Sequence, residues 1–151
     1  MKIVIPEGTE VILSIDDYLP GDETRYDVEE VVMPNSVKDI AICAFQRCTN
    51  MKKVNISENV KMLRKGVFEN CSSLEEVVIP DSVTKIGGTA FWRCKKLKSV
   101  KLPKDLTYIG PDAFEDCESL EEINIPDSVS TIQVAAFLNC KKLKEDRKSV
   151  V

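Results

Sequence analysis

The side chains of this sequence that could carry out chemistry are six cysteines and a set of carboxylates, because the chain contains no histidine. Without imidazole, Ser-His-Asp and Cys-His nucleophile systems and histidine-ligated metals are excluded. The one notable acidic pair near a loop, Asp16-Asp17, lacks a glycine-rich ligand loop. Such a pair is a weak signal for calcium binding or acid–base catalysis, and its ordinary role is to solvate a loop. We therefore predict no catalytic residue, no metal site and no cofactor.

Five of the six cysteines recur at one constant interval, and three interpretations of them are open. They could form a column of buried thiols, disulfides between neighbouring units, or thiolate ligands of a metal. Disulfide pairing would leave one of the five over, and a linear column cannot converge tetrahedrally on one ion, so the buried column is favoured. Cys43 is outside the pattern and has no neighbouring base, so we expect a passive side chain. The in-phase cysteines are Cys48, Cys71, Cys94, Cys117 and Cys140.

Composition and charge restrict the class of protein. The 151 residues are 43% hydrophobic and 30% charged, a balance typical of one globular domain. The net charge of −4 argues against broad binding to nucleic acid or anionic membranes. No apolar run approaches the roughly 18 residues of a membrane-spanning helix, and the N-terminus lacks the features of a signal peptide.

We therefore expect no nucleic-acid partner, no membrane insertion and a monomer. The free thiols and the absent signal peptide predict a cytoplasmic location for the chain as it stands. A chain trimmed from a longer one would instead be at the cell surface or secreted.

The interval of the cysteines is the period of most of the sequence. Prolines occur at one phase, and a leucine-type residue follows each in-phase cysteine by three positions. The period predicts a single domain over 1–151, with a lead-in over 1–30, five equal repeats over 31–145 and a charged end over 146–151. All five phenylalanines follow the same spacing, at Phe45, Phe68, Phe91, Phe114 and Phe137.

Each repeat predicts one coil of a stacked structure. Val77 and Ile79 alternate as the inward positions of a short strand, which Pro80 ends because proline has no N–H for a ladder. A second extended piece follows, and the spacing of Phe91 and Cys94 then indicates one helical or 3₁₀ turn. Because a single coil cannot bury its apolar side, the coils must stack and bury a continuous core. The inward positions of the third repeat are Leu74, Val77, Ile79, Val83, Ile86, Ala90, Phe91 and Cys94.

The two ends of the sequence depart from the period. Residues 3–12 repeat the strand and proline half of a unit, but Pro6 and Pro34 are further apart than one period, and the lead-in lacks the phenylalanine and cysteine positions. We predict a degenerate N-terminal cap with an irregular loop over 16–27. At the other end Asp146 and Lys148 replace inward strand positions, which is typical of a strand that terminates a stack.

The unit Ile-Pro-x-Ser-Val-x-x-Ile-x-x-x-Ala-Phe-x-x-Cys-x-x-Leu resembles the BspA-like class of leucine-rich repeats over 31–145. Repeat two departs most from it, with Ser57, Asn59 and Val67. The resemblance implies an α/β fold: a right-handed, curved leucine-rich-repeat solenoid. Short parallel strands would line its concave side, with turns and short 3₁₀ or helical turns elsewhere. It also implies a binding role, since relatives are often surface proteins that contact host proteins, matrix or other cells, and it transfers no catalytic residue.

Two charge patterns are visible along the repeats. The position after the leucine alternates in sign, and such a column sets register and solubility, because each exposed pair contributes at most about 1 kcal/mol. Residues 93–104 are basic, but acidic residues in the adjacent repeats neutralise them, so we expect solvated surface there rather than an acidic-partner site. The alternating column is Glu29, Lys52, Glu75, Lys98, Glu121 and Lys144.

The candidate binding face is the outward side of the concave strands, because strand side chains alternate between core and solvent. One column of the face is Val32, Asn55, Val78, Lys101 and Asn124. The flanking column is Glu30, Lys53, Glu76, Ser99 and Glu122.

These features predict a non-enzymatic scaffold that binds a protein partner through its concave sheet. The competing hypothesis is a surface adhesin for host matrix or carbohydrate. Sugar sites usually have aromatic platforms, and we expect Tyr18, Tyr26 and Tyr108 to lie outside the strands, which favours a protein partner. Trp92 is expected to face outward beside the inward Phe91.

Overall fold

The computed structural model describes residues 1–144, so Glu145 and the predicted end with Asp146 and Lys148 lie outside the described residues. Each turn of the chain contributes a first strand before its proline position and a second strand after it. The first strands are Lys2–Val4 (β1), Glu30–Val32 (β3), Lys53–Val54 (β5), Glu76–Val78 (β7) and Ser99–Lys101 (β9). The second strands are Val11–Ile12 (β2), Asp39–Ile40 (β4), Met62–Leu63 (β6), Lys85–Ile86 (β8), Tyr108–Ile109 (β10) and Thr131–Ile132 (β11).

Strands of one kind pair in parallel with those of the adjacent coils and form two ladders. The front ladder consists of β1-β3-β5 and β7-β9, and the back ladder of β2-β4 and β6-β8-β10-β11. Val77 lies opposite Val100, and Ile86 lies opposite Ile109, one period further along the chain in each case. Every repeat position therefore becomes a column along the stack.

The core is a set of such columns, of which the aromatic one is the most regular. Successive phenylalanine rings stack with centroids 5.2–5.5 Å apart and planes within 21° of parallel. Four of the rings are fully buried, and Phe137 in the last coil is half-buried. The predicted inner wall of phenylalanine is confirmed.

The in-phase cysteines form the predicted column of free thiols, which is buried except at Cys140 in the last coil, where the thiol is half-buried. The Sγ of Cys94 donates to the Phe68 carbonyl of the preceding coil at 3.2 Å, and Cys71, Cys117 and Cys140 repeat the contact at 3.1–3.2 Å. The cysteine and phenylalanine positions of the motif thus join adjacent coils by a hydrogen bond as well as by packing.

The third side of each coil is a chain of turns, so the predicted helical turn at the phenylalanine is wrong in detail. Successive N–H groups alternate between two kinds of acceptor. Those of Ala90 and Trp92 donate to carbonyls three residues earlier in the same coil, whereas those of Thr89 and Phe91 donate to carbonyls of the next coil. Two residues per repeat take a left-handed backbone, at φ of about +53° to +66°. This conformation cannot continue a helix. In residues 1–144 the 3₁₀ helices are Ile15–Tyr18 and Arg25–Asp27, both in the lead-in.

Thr89 occupies one of these left-handed positions at φ +53°, and its buried Oγ1 has no hydrogen-bond partner in the described structure. We expect Thr89→Gly to raise the free energy of unfolding by about 1 kcal/mol, because glycine removes both the β-branched left-handed strain and the orphan hydroxyl. Gly66 already holds the equivalent position. Urea denaturation measures the gain, and Ala135→Gly is the matched control, with a smaller gain because alanine has neither feature. A less stable Thr89→Gly protein would show that the threonine is not strained.

The lead-in forms a coil of its own instead of only the half unit that its sequence suggests. β1 pairs with β3 and β2 with β4, although the chain between them is longer than one period. Fully buried Ile15 donates its N–H to Ala44, as Phe45 does to Val67, so isoleucine takes the place of phenylalanine. The predicted irregular loop over 16–27 contains most of the two 3₁₀ helices. Arg25 links them, because it forms an ion pair with Asp16 and donates to the Gln46 carbonyl.

Both ladders are interrupted at repeat two, on opposite sides of it. In residues 1–144 no backbone hydrogen bond joins β5 to β7 in the front ladder, and none joins β4 to β6 in the back ladder. The turn side stays bonded at both junctions, for example from Phe45 to Val67 and from Phe68 to Ala90. At the back junction the Arg64 guanidinium holds both oxygens of Asp39 at 2.8 and 3.1 Å, replacing the missing ladder bonds. Burial of Ser57, whose hydroxyl donates to the Val37 carbonyl at 2.6 Å, accounts for serine at a proline position.

Candidate binding groove

Seven of the ten predicted face residues lie in the strands of the front ladder, while Asn55 follows β5, Glu122 forms a single bridge with Ser99, and Asn124 follows Glu122. Glu30 and Val32 are half-buried and the other eight are exposed: Lys53, Asn55, Glu76, Val78, Ser99, Lys101, Glu122 and Asn124. Their inward neighbours Val31, Val77, Val100 and Ile123 are buried. The alternation of strand side chains therefore separates face from core along the front ladder.

An open groove of about 1070 Å³ crosses this face at the junction between β5 and β7. It brings together six of the ten residues, namely Glu30, Lys53, Asn55, Glu76, Val78 and Lys101. Val32 and the three residues nearer the C-terminal end, Ser99, Glu122 and Asn124, do not line it. The groove thus lies where the front ladder is interrupted.

The floor of the groove is formed in part by an exposed apolar side chain and in part by an amide side chain that is held by hydrogen bonds. Val78 is 61% exposed, a high value for a valine in the middle of a ladder. The Asn55 side chain is tied down, since it accepts from the Met33 N–H at 2.8 Å and donates to the Met33 carbonyl at 2.9 Å. Asn55 therefore shapes the floor, and Val78 is the contact surface that remains available.

The groove also has lining residues that were not predicted from the sequence. Glu58, Asp81 and Ser82 line it from the turns that follow the proline positions. The signal was the column after the proline, where charged or amide residues recur at each repeat. Because Pro80 turns the chain back over the strand end, these side chains return to the same face.

The lead-in also extends both outer columns of the face. The register of β1 on β3 places Lys2 beside Glu30 and Val4 beside Val32, and Val4 is 62% exposed. The Ile3-x-Ile5-Pro6 pattern, which matches Val31-x-Met33-Pro34, was the signal that could have located them.

Other predicted features lie away from the groove. Trp92 is on the turn side, half-buried, with the Arg93 guanidinium 4.3 Å from the ring centroid. Tyr108 lies in β10 of the back ladder, so its predicted position outside the strands is wrong. No aromatic ring of residues 1–144 lines the groove.

Stacked coils with parallel strands and a repeat-by-repeat core define a leucine-rich-repeat solenoid. The chain belongs to the BspA type of leucine-rich repeat region, whose family model matches six copies over residues 23–144. The match begins after β1 and β2, so the strands of the first coil lie outside it. A search of curated proteins finds no match to the sequence.

Solved structures of bacterial leucine-rich-repeat proteins have the same fold. A T. pallidum leucine-rich-repeat protein is 32% identical with a TM-score of 0.74, over 76% of this chain and 56% of that one. A leucine-rich-repeat protein from Eubacterium ventriosum is 29% identical with a TM-score of 0.73, over 82% and 33%. A leucine rich cell surface protein from Faecalibacterium prausnitzii is 24% identical with a TM-score of 0.63, over 98% and 33%, a likeness of fold alone. The chain thus spans between a third and just over half of these proteins.

Proposed function

We propose that this protein is a non-enzymatic scaffold that binds a partner protein through the outer face of its front ladder. The observation that carries the proposal is the groove itself, a concavity of about 1070 Å³ with an exposed valine on its floor. An exposed apolar side chain within a polar rim is the usual composition of a protein-binding surface.

The construction of the face supports binding by a preformed surface. The inward residues on either side of Val78, which are Val77 and Ile79, are buried in the common core. Asn55 is held by two hydrogen bonds to the main chain of the preceding coil. A partner would therefore incur little ordering cost on the scaffold's side, which raises the affinity available from a given area.

A surface adhesin for host matrix or carbohydrate is the second candidate. The family supports an outside location, because BspA-type leucine-rich repeats are typical of surface or secreted bacterial proteins. Among residues 1–144, no helix is long and apolar enough to cross a bilayer. A groove lined without aromatic rings supports a protein ligand better than a sugar ligand, because sugars stack on aromatic platforms.

The test is a quantitative pull-down with wild-type protein and the double variant Val78→Asp, Lys101→Glu. We expect the affinity of the variant for the physiological partner to fall at least tenfold, because the variant places a carboxylate on the apolar floor and reverses the adjacent charge. The melting temperature should barely change, since both side chains are exposed. Trp92→Ala is the matched control on the turn side and should keep the partner. Retention by the double variant with loss by Trp92→Ala would place the site on the turn side.

A further inference from the structure

The groove has a negative end centred on Val78. Glu76 lies two residues before Val78 on the same strand, so both side chains point to the outer face. Asp81 also lines the groove, and one of its oxygens accepts the Lys104 N–H at 3.0 Å, which holds the carboxylate in place. Within residues 1–144 neither carboxylate forms a salt bridge with a lysine or arginine side chain. An exposed apolar side chain is thus flanked by two carboxylates without a salt-bridge partner.

The next coil has no carboxylate at these positions and carries two lysines instead. The positions equivalent to Glu76, Val78 and Asp81 are Ser99, Lys101 and Lys104. Lys101 lines the end of the groove and is exposed, and in the described chain no carboxylate forms a salt bridge with it. Adjacent parallel strands are about 4.8 Å apart. The negative surface around Val78 therefore lies one coil spacing from the positive charge of Lys101.

Resting on the proposed function, we propose that the groove binds an extended peptide segment that carries an arginine or lysine and, two residues away, a carboxylate. The aliphatic stem of the basic side chain packs on Val78, and its charged head reaches Glu76 and Asp81. The planar fork of an arginine suits a carboxylate better than the point charge of a lysine, because it can donate two parallel hydrogen bonds. The acidic side chain meets Lys101.

The geometry of an extended peptide fits this pairing. Side chains two residues apart on one strand face the same side at a separation of about 6.6 Å. Long, flexible basic and acidic side chains can close the difference between this separation and the coil spacing of about 4.8 Å. The lining of the groove contains five carboxylates and three lysines, so a basic peptide is favoured over nucleic acid or an acidic sugar. The carboxylates are Glu30, Glu58, Glu75, Glu76 and Asp81.

The experiment selects a phage-displayed random dodecapeptide library on the immobilised wild-type protein. Enriched sequences are then synthesised, and their affinities measured by fluorescence anisotropy. We expect enrichment of Arg-x-Glu and Lys-x-Glu or the reverse order. The double variant Glu76→Gln, Asp81→Asn should bind the peptides at least tenfold more weakly. The matched control is Glu7→Gln, Asp17→Asn, a pair of exposed carboxylates outside both the groove and the ten-residue face, which should leave the affinity unchanged.

The outcomes separate this inference from the proposed function. Peptides that bind Glu76→Gln, Asp81→Asn as tightly as wild type, yet are lost in Val78→Asp, Lys101→Glu, would overturn the charge preference and leave the groove as the binding face. Peptides unaffected by either double variant would overturn both. Absence of any enriched peptide would overturn the extended-peptide class, because the preformed groove needs no cofactor or second chain to bind one.

Discussion

Phe91→Ala is expected to lower the free energy of unfolding by about 3–5 kcal/mol. The ring is fully buried, and the rings of Phe68 and Phe114 stack on its two sides at 5.5 and 5.2 Å. Alanine would leave a cavity in the middle of the column, and the neighbouring coils cannot close it because their backbones are hydrogen-bonded to each other on this side. Urea denaturation followed by circular dichroism measures the loss.

The matched control is Phe137→Ala at the same position of the last coil. Phe137 is half-buried and stacks on Phe114 at 5.3 Å. Its removal should therefore cost clearly less than removal of Phe91. A loss below about 1 kcal/mol for Phe91→Ala would show that the phenylalanine column is not the inner wall of the solenoid.

Mild alkali is expected to destabilise the fold through the thiol column. Burial raises the pKa of Cys94 to about 12 and that of Cys140 to about 11, and it raises the pKa values of Cys71 and Cys117 as well. An unfolded cysteine titrates near 8.5, so above that pH the unfolded chain releases protons that the folded chain retains. Stability is thus fully present below pH 8.5 and falls as the pH rises towards 12, by about 1.4 kcal/mol per pH unit for a buried thiol such as Cys94.

The measurement is the free energy of unfolding from urea titrations at pH 8, 9 and 10 under reducing conditions. Cys94→Ala serves as the comparison, because it deletes one buried thiol and leaves the other titrating groups in place. Its stability should be lower at pH 8 and should decline less steeply with pH. Equal slopes for the two proteins would contradict a raised pKa for Cys94.

Much of this fold could be predicted from the sequence because residue types that are uncommon in the chain recur at a constant spacing. Phenylalanine and cysteine recur at one spacing, and the structure stacks Phe68 on Phe91 and bonds Cys94 to Phe68 in that register. The outer face followed from alternation alone, since Val77 and Ile79 are buried and Val78 is exposed. The repeat period is therefore enough to predict the buried and exposed positions wherever successive coils pack in the same way.

Features set by geometry between coils were not visible in the sequence. Ile15 takes the place of phenylalanine because its N–H bonds to Ala44, although the intervening loop has another length. The left-handed positions include Cys43, Thr89 and Arg93, and none of these three is a residue type that marks such a backbone. The groove depends on a missing ladder bond and on Asp81 returning after Pro80, and neither is a property of one repeat taken by itself.

The two interruptions at repeat two never coincide, and this keeps the solenoid continuous past its irregular repeat. Within residues 1–144 the stack lacks front-ladder bonds at one junction and back-ladder bonds at the other, whereas the turn side is bonded at both. The other ladder is also intact at each junction, through β6-β8 where the front ladder is interrupted and through β3-β5 where the back ladder is interrupted. Two of the three sides of the coil therefore stay connected at every junction, and the loss of one ladder exposes strand edges on one face without dividing the stack into two units.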